Sequence, residues 1–181
     1  MVEHSQDKSK REPNRIWGHK WGFRDTRFVL NDDGSVTLTG NRYTLSGFKM
    51  YDFIPYVEAV LQVKLDLKNP KQELDQKPVD PPNKNVAFCE ALKEYFQADQ
   101  YSFEGEARLL HSHGQTTSEE VYKVIYSRLD RVVDMVFYCE KREDARRIIE
   151  LSKEHDVCLV PFGGGTSVSC ALKLPQSDTR M

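Results

Sequence analysis

The sequence predicts an α+β chain: a β-hairpin and a helical region, then a strand–helix–strand unit that opens into a glycine loop. Three observations carry this. Phe28-Val29-Leu30 and Val36-Thr37-Leu38-Thr39 flank Asn31-Asp32-Asp33-Gly34, and Asp-Gly supplies the positive φ of a tight hairpin turn. Apolar residues recur at helical spacing in several later windows. Finally, the mostly apolar runs Val132–Tyr138 and Val157–Val160 bracket an amphipathic segment, a pattern for which a right-handed βαβ crossover is the default.

Taken in order, residues 1–14 are polar, charged and aperiodic, so disorder is predicted, and no apolar core of a secretory leader is present. Residues 15–67 hold the hairpin and a helix over 51–65. Phe53, Ile54, Val57, Val60, Leu61 and Leu65 form its stripe, and Pro55 is tolerated in a first turn. Trp17 and Trp21 are read as anchors of a loop on the core. Residues 68–85 carry Pro70, Pro78, Pro81 and Pro82 and are predicted to be an exposed, partly extended linker.

The region 86–130 is predicted to be helical. Phe88, Leu92 and Phe96 line one face of a helix over Val86–Phe96. A second helix, over 118–129, starts at the capping-box pattern Thr117-x-x-Glu120 and buries Val121, Val124, Ile125 and Leu129. In the last region, 131–181, the helix Glu143–Glu154 turns Ala145, Ile148, Ile149 and Ser152 inward.

A net charge of −2 gives no electrostatic case for nucleic-acid binding. No apolar run approaches the roughly 18 residues of a membrane span. Cys89, Cys139, Cys158 and Cys170 show no CxxC or ligand spacing, which suits a reducing compartment; Cys139 and Cys158 read as small buried hydrophobes. His111 and His113 lack a third placed ligand, so no metal site is expected.

The chemistry concentrates in Pro161, Phe162, Gly163, Gly164, Gly165, Thr166, Ser167, Val168 and Ser169. Glycines let a backbone approach a ligand closely, and successive N–H groups can form a concave anion site, so a phosphate or pyrophosphate is the natural ligand. The loop is not of the Walker type, because no lysine follows until Lys173, and Val168 occupies the third glycine position of a dinucleotide fingerprint. A bare Gly-Gly-Gly is better explained as an ordinary turn between two strands.

The longer string, PFGGGTSVS, resembles the pyrophosphate loop of FAD-linked oxidases of the vanillyl-alcohol-oxidase and D-lactate-dehydrogenase type. With it, Trp21–Asp25, Leu38–Gly47, Arg108–Gly114, Ser118–Val121 and Asp134–Arg180 resemble the N-terminal third of the alkyldihydroxyacetonephosphate synthase family. That resemblance implies the start of a PCMH-type FAD-binding domain at 131–181, truncated within its first lobe. It implies an ether-lipid (plasmalogen-precursor) transferase that exchanges the acyl chain of acyl-dihydroxyacetone phosphate for a long-chain fatty alcohol. It further implies non-covalent FAD on residues 161–169, since Thr166 follows the glycines and the loop contains no His. Peroxisomal location, a homodimer and peripheral membrane contact belong to the same expectation, although no Ser-Lys-Leu ending or clear targeting signal is present. Val133 and Cys170 depart from the family's usual residues.

No catalytic residue is expected among these 181 residues, and a fragment folded poorly at its C-terminal end and inactive alone is predicted. The alternatives are an FAD-dependent 2-hydroxy-acid oxidase or dehydrogenase, and a non-catalytic interaction fragment with a vestigial glycine loop.

Overall fold

The computed structural model describes residues 16–69, 78–167 and 169–181. The disorder expected for 1–14, the linker residues 70–77 and Val168 lie outside the described residues.

The hairpin forms where the sequence places it. β1 (Phe28–Leu30) and β2 (Val36–Leu38) pair antiparallel, with Phe28 opposite Leu38 and Leu30 opposite Val36. Gly34, at φ +79°, provides the left-handed step, and the Ser35 carbonyl accepts the Asn31 N–H at 2.8 Å. A third strand, β3 (Lys49–Met50), pairs with the other edge of β2. Central β2 buries Val36 and Leu38, whereas β1 is exposed throughout.

α1 (Phe53–Leu61) carries Pro55 in its first turn, where a missing N–H breaks no helical bond. It stops short of residue 65 because Gln62 turns left-handed at φ 53° and the Glu58 carboxylate takes the Leu65 N–H at 2.9 Å. None of its residues is buried. Phe53 stacks on Phe28 with ring centroids 4.9 Å apart, which joins one edge of the helix to the hairpin.

The core lies elsewhere. Phe88 and Leu92 of α2 (Val86–Tyr95) meet Ile148 and Leu151 of α5 (Arg142–Glu154), and Phe96 and Met181 close the cluster. The side chain of Asn85 caps α2 by accepting the Phe88 N–H at 3.0 Å. A 3₁₀ turn (Ala98–Gln100) leads into β4 (Tyr101–Ser102), which pairs antiparallel with β5 (Val136–Phe137). The Asp144 carboxylate accepts Gln100 Nε2 at 3.0 Å and the N–H groups of Glu140 and Lys141, tying the start of α5 to that turn. Between β4 and β5 run α3 (Gly105–Leu110) and α4 (Ser118–Tyr126).

Several expectations need correction. The buried stripe of α5 is Asp144, Ile148, Leu151 and Ser152, while Ile149 is 52% exposed. Asp144 can face inward because its acceptors are filled, which rotates the stripe away from Ile149. Of Val132–Tyr138, β5 alone is a strand, and its partner is antiparallel β4. Residues 157–160 pair with no strand among the described residues; the Cys158 N–H donates instead to the Met181 carbonyl at 2.8 Å. Cys139 is exposed and Cys158 half-buried, and all four thiols are free. Trp21 is 60% exposed, so of the two tryptophans Trp17 is the one set into the fold.

Residues 172–181 are mostly exposed but are tied to the fold at a few points. Leu172 and Met181 are buried. The Arg131 guanidinium donates to the carbonyls of Asp178 and Arg180, and Asn83 Nδ2 donates to the Thr179 carbonyl at 2.7 Å. No helix among the described residues is long and apolar enough to cross a membrane.

Candidate functional site

The glycine loop leaves the core after Val160 and lies on the surface. Gly163, Gly164 and Thr166 are exposed, and Gly165 is buried. Gly165 takes φ +71°, and a Cβ there would come within 2.9 Å of the Phe162 ring folded over it. The Ser167 N–H donates back to the Gly165 carbonyl at 2.9 Å. The N–H groups of Gly163, Gly164, Gly165 and Thr166 find no acceptor among the described residues. Ser167 Oγ accepts the Leu172 N–H at 3.2 Å and keeps its own proton to donate. No carboxylate occurs in 161–169, so the loop presents donors without a competing negative charge, a set suited to a diphosphate.

The loop rests on the segment 108–116, which the sequence had marked without a role. Phe162 packs against the His111 ring at 4.7 Å between centroids. A Cβ at Gly114 would overlap the Gly165 carbonyl oxygen, so the two backbones are in direct contact there. Thr116 Oγ1 donates to the Ser167 carbonyl at 3.1 Å. Glu120 is the missing half of the expected capping box. Thr117 accepts the Glu120 N–H at 3.1 Å, but the Glu120 carboxylate reaches the N–H groups of Gly114 and Thr116, at 3.1 and 3.0 Å.

The same segment also holds the N-terminal turn. Gln115, at φ 52°, donates to the carbonyls of Trp17 and Lys20 at 3.0 and 2.9 Å and accepts the Gly22 N–H at 2.8 Å. His113 Nε2 bonds to the Gly18 carbonyl at 2.9 Å, which fixes the proton on Nε2. His111 Nδ1 bonds likewise to the Ala107 carbonyl at 2.7 Å. Burial pushes both imidazoles below their ordinary pKa and keeps them neutral. Buried Arg108 bridges the carbonyls of Val133 and Asp80 at 2.8 and 2.9 Å, and burial lowers its pKa. Ser112 Oγ joins the Arg108 carbonyl to the Val133 N–H.

Of the nine residues expected to bind cofactor, Pro161 to Ser167 form one continuous surface loop, Ser169 is exposed just beyond it, and Val168 lies outside the described residues. Sequence reasoning missed Gly114, Gln115, Thr116 and Glu120. A glycine before a polar turn and a helix cap was visible, but its partner lies about fifty residues downstream. Among the described residues no group of three or more His, Cys, Asp or Glu side chains could hold a metal ion. A cleft of about 400 Å³ runs between residues 78–83, α4 and 127–134, and no residue of the glycine loop lines it. Its arginines are engaged, Arg128 with Asp80 and Arg131 with Asp134.

No protein-family model matches the chain. It is 34% identical to an alkyldihydroxyacetonephosphate synthase of Caenorhabditis elegans over 181 residues, 99% of this chain and 29% of that protein. A Trypanosoma brucei brucei protein of the same name is 32% identical over 168 residues, 89% of this chain and 27% of the relative. A solved structure of an alkyldihydroxyacetonephosphate synthase superposes on 93% of this chain and 31% of its own, with a TM-score of 0.73 at 20% identity, a likeness of fold. The chain thus spans under a third of the length of the curated relatives it matches. Across nearly all of its 181 residues, the chain is similar to part of the alkyldihydroxyacetonephosphate synthases.

Proposed function

We propose that residues 161–169 are the first pyrophosphate-binding segment of an FAD-binding domain of the PCMH type, whose start is 131–181. In this reading, 15–67, 68–85 and 86–130 are a hairpin–helix unit, a linker and a helical region placed before it. The observation that carries this reading is the row of N–H groups from Gly163 to Thr166 that have no acceptor among the described residues, in a loop without carboxylates. These dipoles donate to phosphate oxygens, and the absent side chains of Gly163 and Gly164 leave the approach open. Thr166 follows the glycines where a covalent attachment would need His, so the cofactor is held without a covalent bond.

The whole protein then acts in ether-lipid biosynthesis. It replaces the acyl chain of acyl-dihydroxyacetone phosphate with the alkyl chain of a fatty alcohol and releases a fatty acid. Bound FAD supplies the flavin ring for that exchange, which involves no net redox change. Residues of this chain bind and orient the cofactor's diphosphate, away from the reacting atoms. Peroxisomal location and a homodimer with peripheral membrane contact accompany this reading.

A flavin absorbance spectrum tests it. The purified chain of 181 residues should be colourless, and a protein extending it to the length of its relatives should show flavin bands. Absence of those bands from the extended protein would remove the FAD assignment and leave a non-catalytic interaction role.

A further inference from the structure

We infer that the turn Gly114–Gln115–Thr116, braced by Glu120, is a positioning element that sets the shape of the glycine loop before any ligand arrives. The inference rests on the pyrophosphate reading above. It divides the glycines into two classes. Gly114 and Gly165 are required by the protein's own packing: a Cβ on the first overlaps the carbonyl of the second, and Gly165 is both left-handed and covered by Phe162. Gly163 meets nothing within 4 Å of an added Cβ and has no left-handed φ, so the fold itself does not require glycine there. What remains to require it is the close approach of a ligand.

The brace is continuous. Thr117 caps α4, and its side chain fixes the Glu120 N–H; Glu120 Oε2 then holds Gly114 and Thr116 at once. Gly114 abuts the Gly165 carbonyl, and Thr116 Oγ1 bonds the Ser167 carbonyl, so both ends of the tight Gly165–Ser167 turn are held. Gln115, between them, is locked by its three bonds to the 17–22 turn. With its carbonyls held on this side, the loop keeps its N–H groups free. A loop already in its binding shape loses less conformational freedom on binding.

The test uses ¹⁵N-labelled chain, recorded alone and then titrated with inorganic pyrophosphate. In Gly114→Ala and Glu120→Ala, the amide signals of Gly163 to Thr166 should shift and the Ser167 amide, bonded to the Gly165 carbonyl, should exchange faster with solvent, while the signals of α2 and α5 stay in place. Glu120→Gln keeps an acceptor oxygen and should restore the wild-type loop signals. Gly163→Ala should leave the unliganded signals of residues 165–167 and the melting temperature unchanged, yet weaken pyrophosphate binding by about tenfold. Loop signals that stay in place in both Gly114→Ala and Glu120→Ala would overturn the inference. If Gly114→Ala does not fold, the Glu120 pair decides alone. A wild-type chain silent to pyrophosphate counts against the pyrophosphate reading, whereas the unliganded spectra still decide the positioning role.

Discussion

In the hairpin–α1 unit, Phe48, Tyr56, Val60 and Leu61 are between 59% and 65% exposed, whereas Phe88 and Leu92 of α2 are fully buried. Both regions are rich in large apolar residues at helical or strand spacing, so composition does not separate them. Partners do. α2 meets α5, the β4–β5 pair and Met181, while α1 touches the hairpin through the Phe53–Phe28 stack. Hydrophobic periodicity therefore locates a face that wants cover, and says nothing of whether the cover lies within the same stretch of chain.

Truncation inside each region should break the comparison most sharply. Phe88→Ala removes a fully buried ring and should cost about 3–5 kcal/mol in urea unfolding, and Val60→Ala should stay within about 0.5 kcal/mol. Similar losses at the two positions would mean that α1 is covered in solution. Gln115→Ala, at the seam between the regions, strands two carbonyls and one N–H and should cost about 1–3 kcal/mol. Its loss should also red-shift the fluorescence of Trp17; an unchanged spectrum would show that the 17–22 turn is held by other contacts.

A smaller effect is expected from acid. Burial holds His113 below its ordinary value of 6.5, so the folded chain takes up that proton less readily than the unfolded one. The stability that neutral His113 contributes is complete above pH 6.5 and is lost as pH falls from there toward the lowered folded value. His111 acts in the same direction. His113→Gln should flatten the melting temperature between about pH 7 and 5, and an unaltered slope would remove His113 from the cause. Least of all should Val60→Ser change stability, though it removes apolar surface from the open face.

What the sequence made legible was local. The hairpin, the starts of α2, α4 and α5 and the glycine loop are specified by neighbours: Asp33-Gly34, Asn85, Thr117 and the triple glycine each act within a few residues. Long-range pairing was not legible. β4 and β5 are two residues each and show no alternation, so their antiparallel pairing across 101–137 left no pattern to read. Ile149 was placed inward by periodicity, and the satisfied carboxylate of Asp144 took the position facing the core. The loop's glycines stood out, but the surface that holds them, Gly114 to Glu120, depends on a contact between residues 114 and 165 that no spacing rule encodes.

Gln115 also has a consequence in time. Its partners Trp17, Lys20 and Gly22 precede it by 93 to 98 residues, and the loop seated on neighbouring Gly114 follows some fifty later. During synthesis the 17–22 turn must wait for half the chain to emerge before it is fixed, and the glycine loop takes its shape only afterward. Such contacts between distant residues form slowly because a long loop must close before they stabilise anything. The glycine loop is thus set after the 17–22 turn and the Gly114 seat have both emerged, and until then its N–H groups are bare backbone in water.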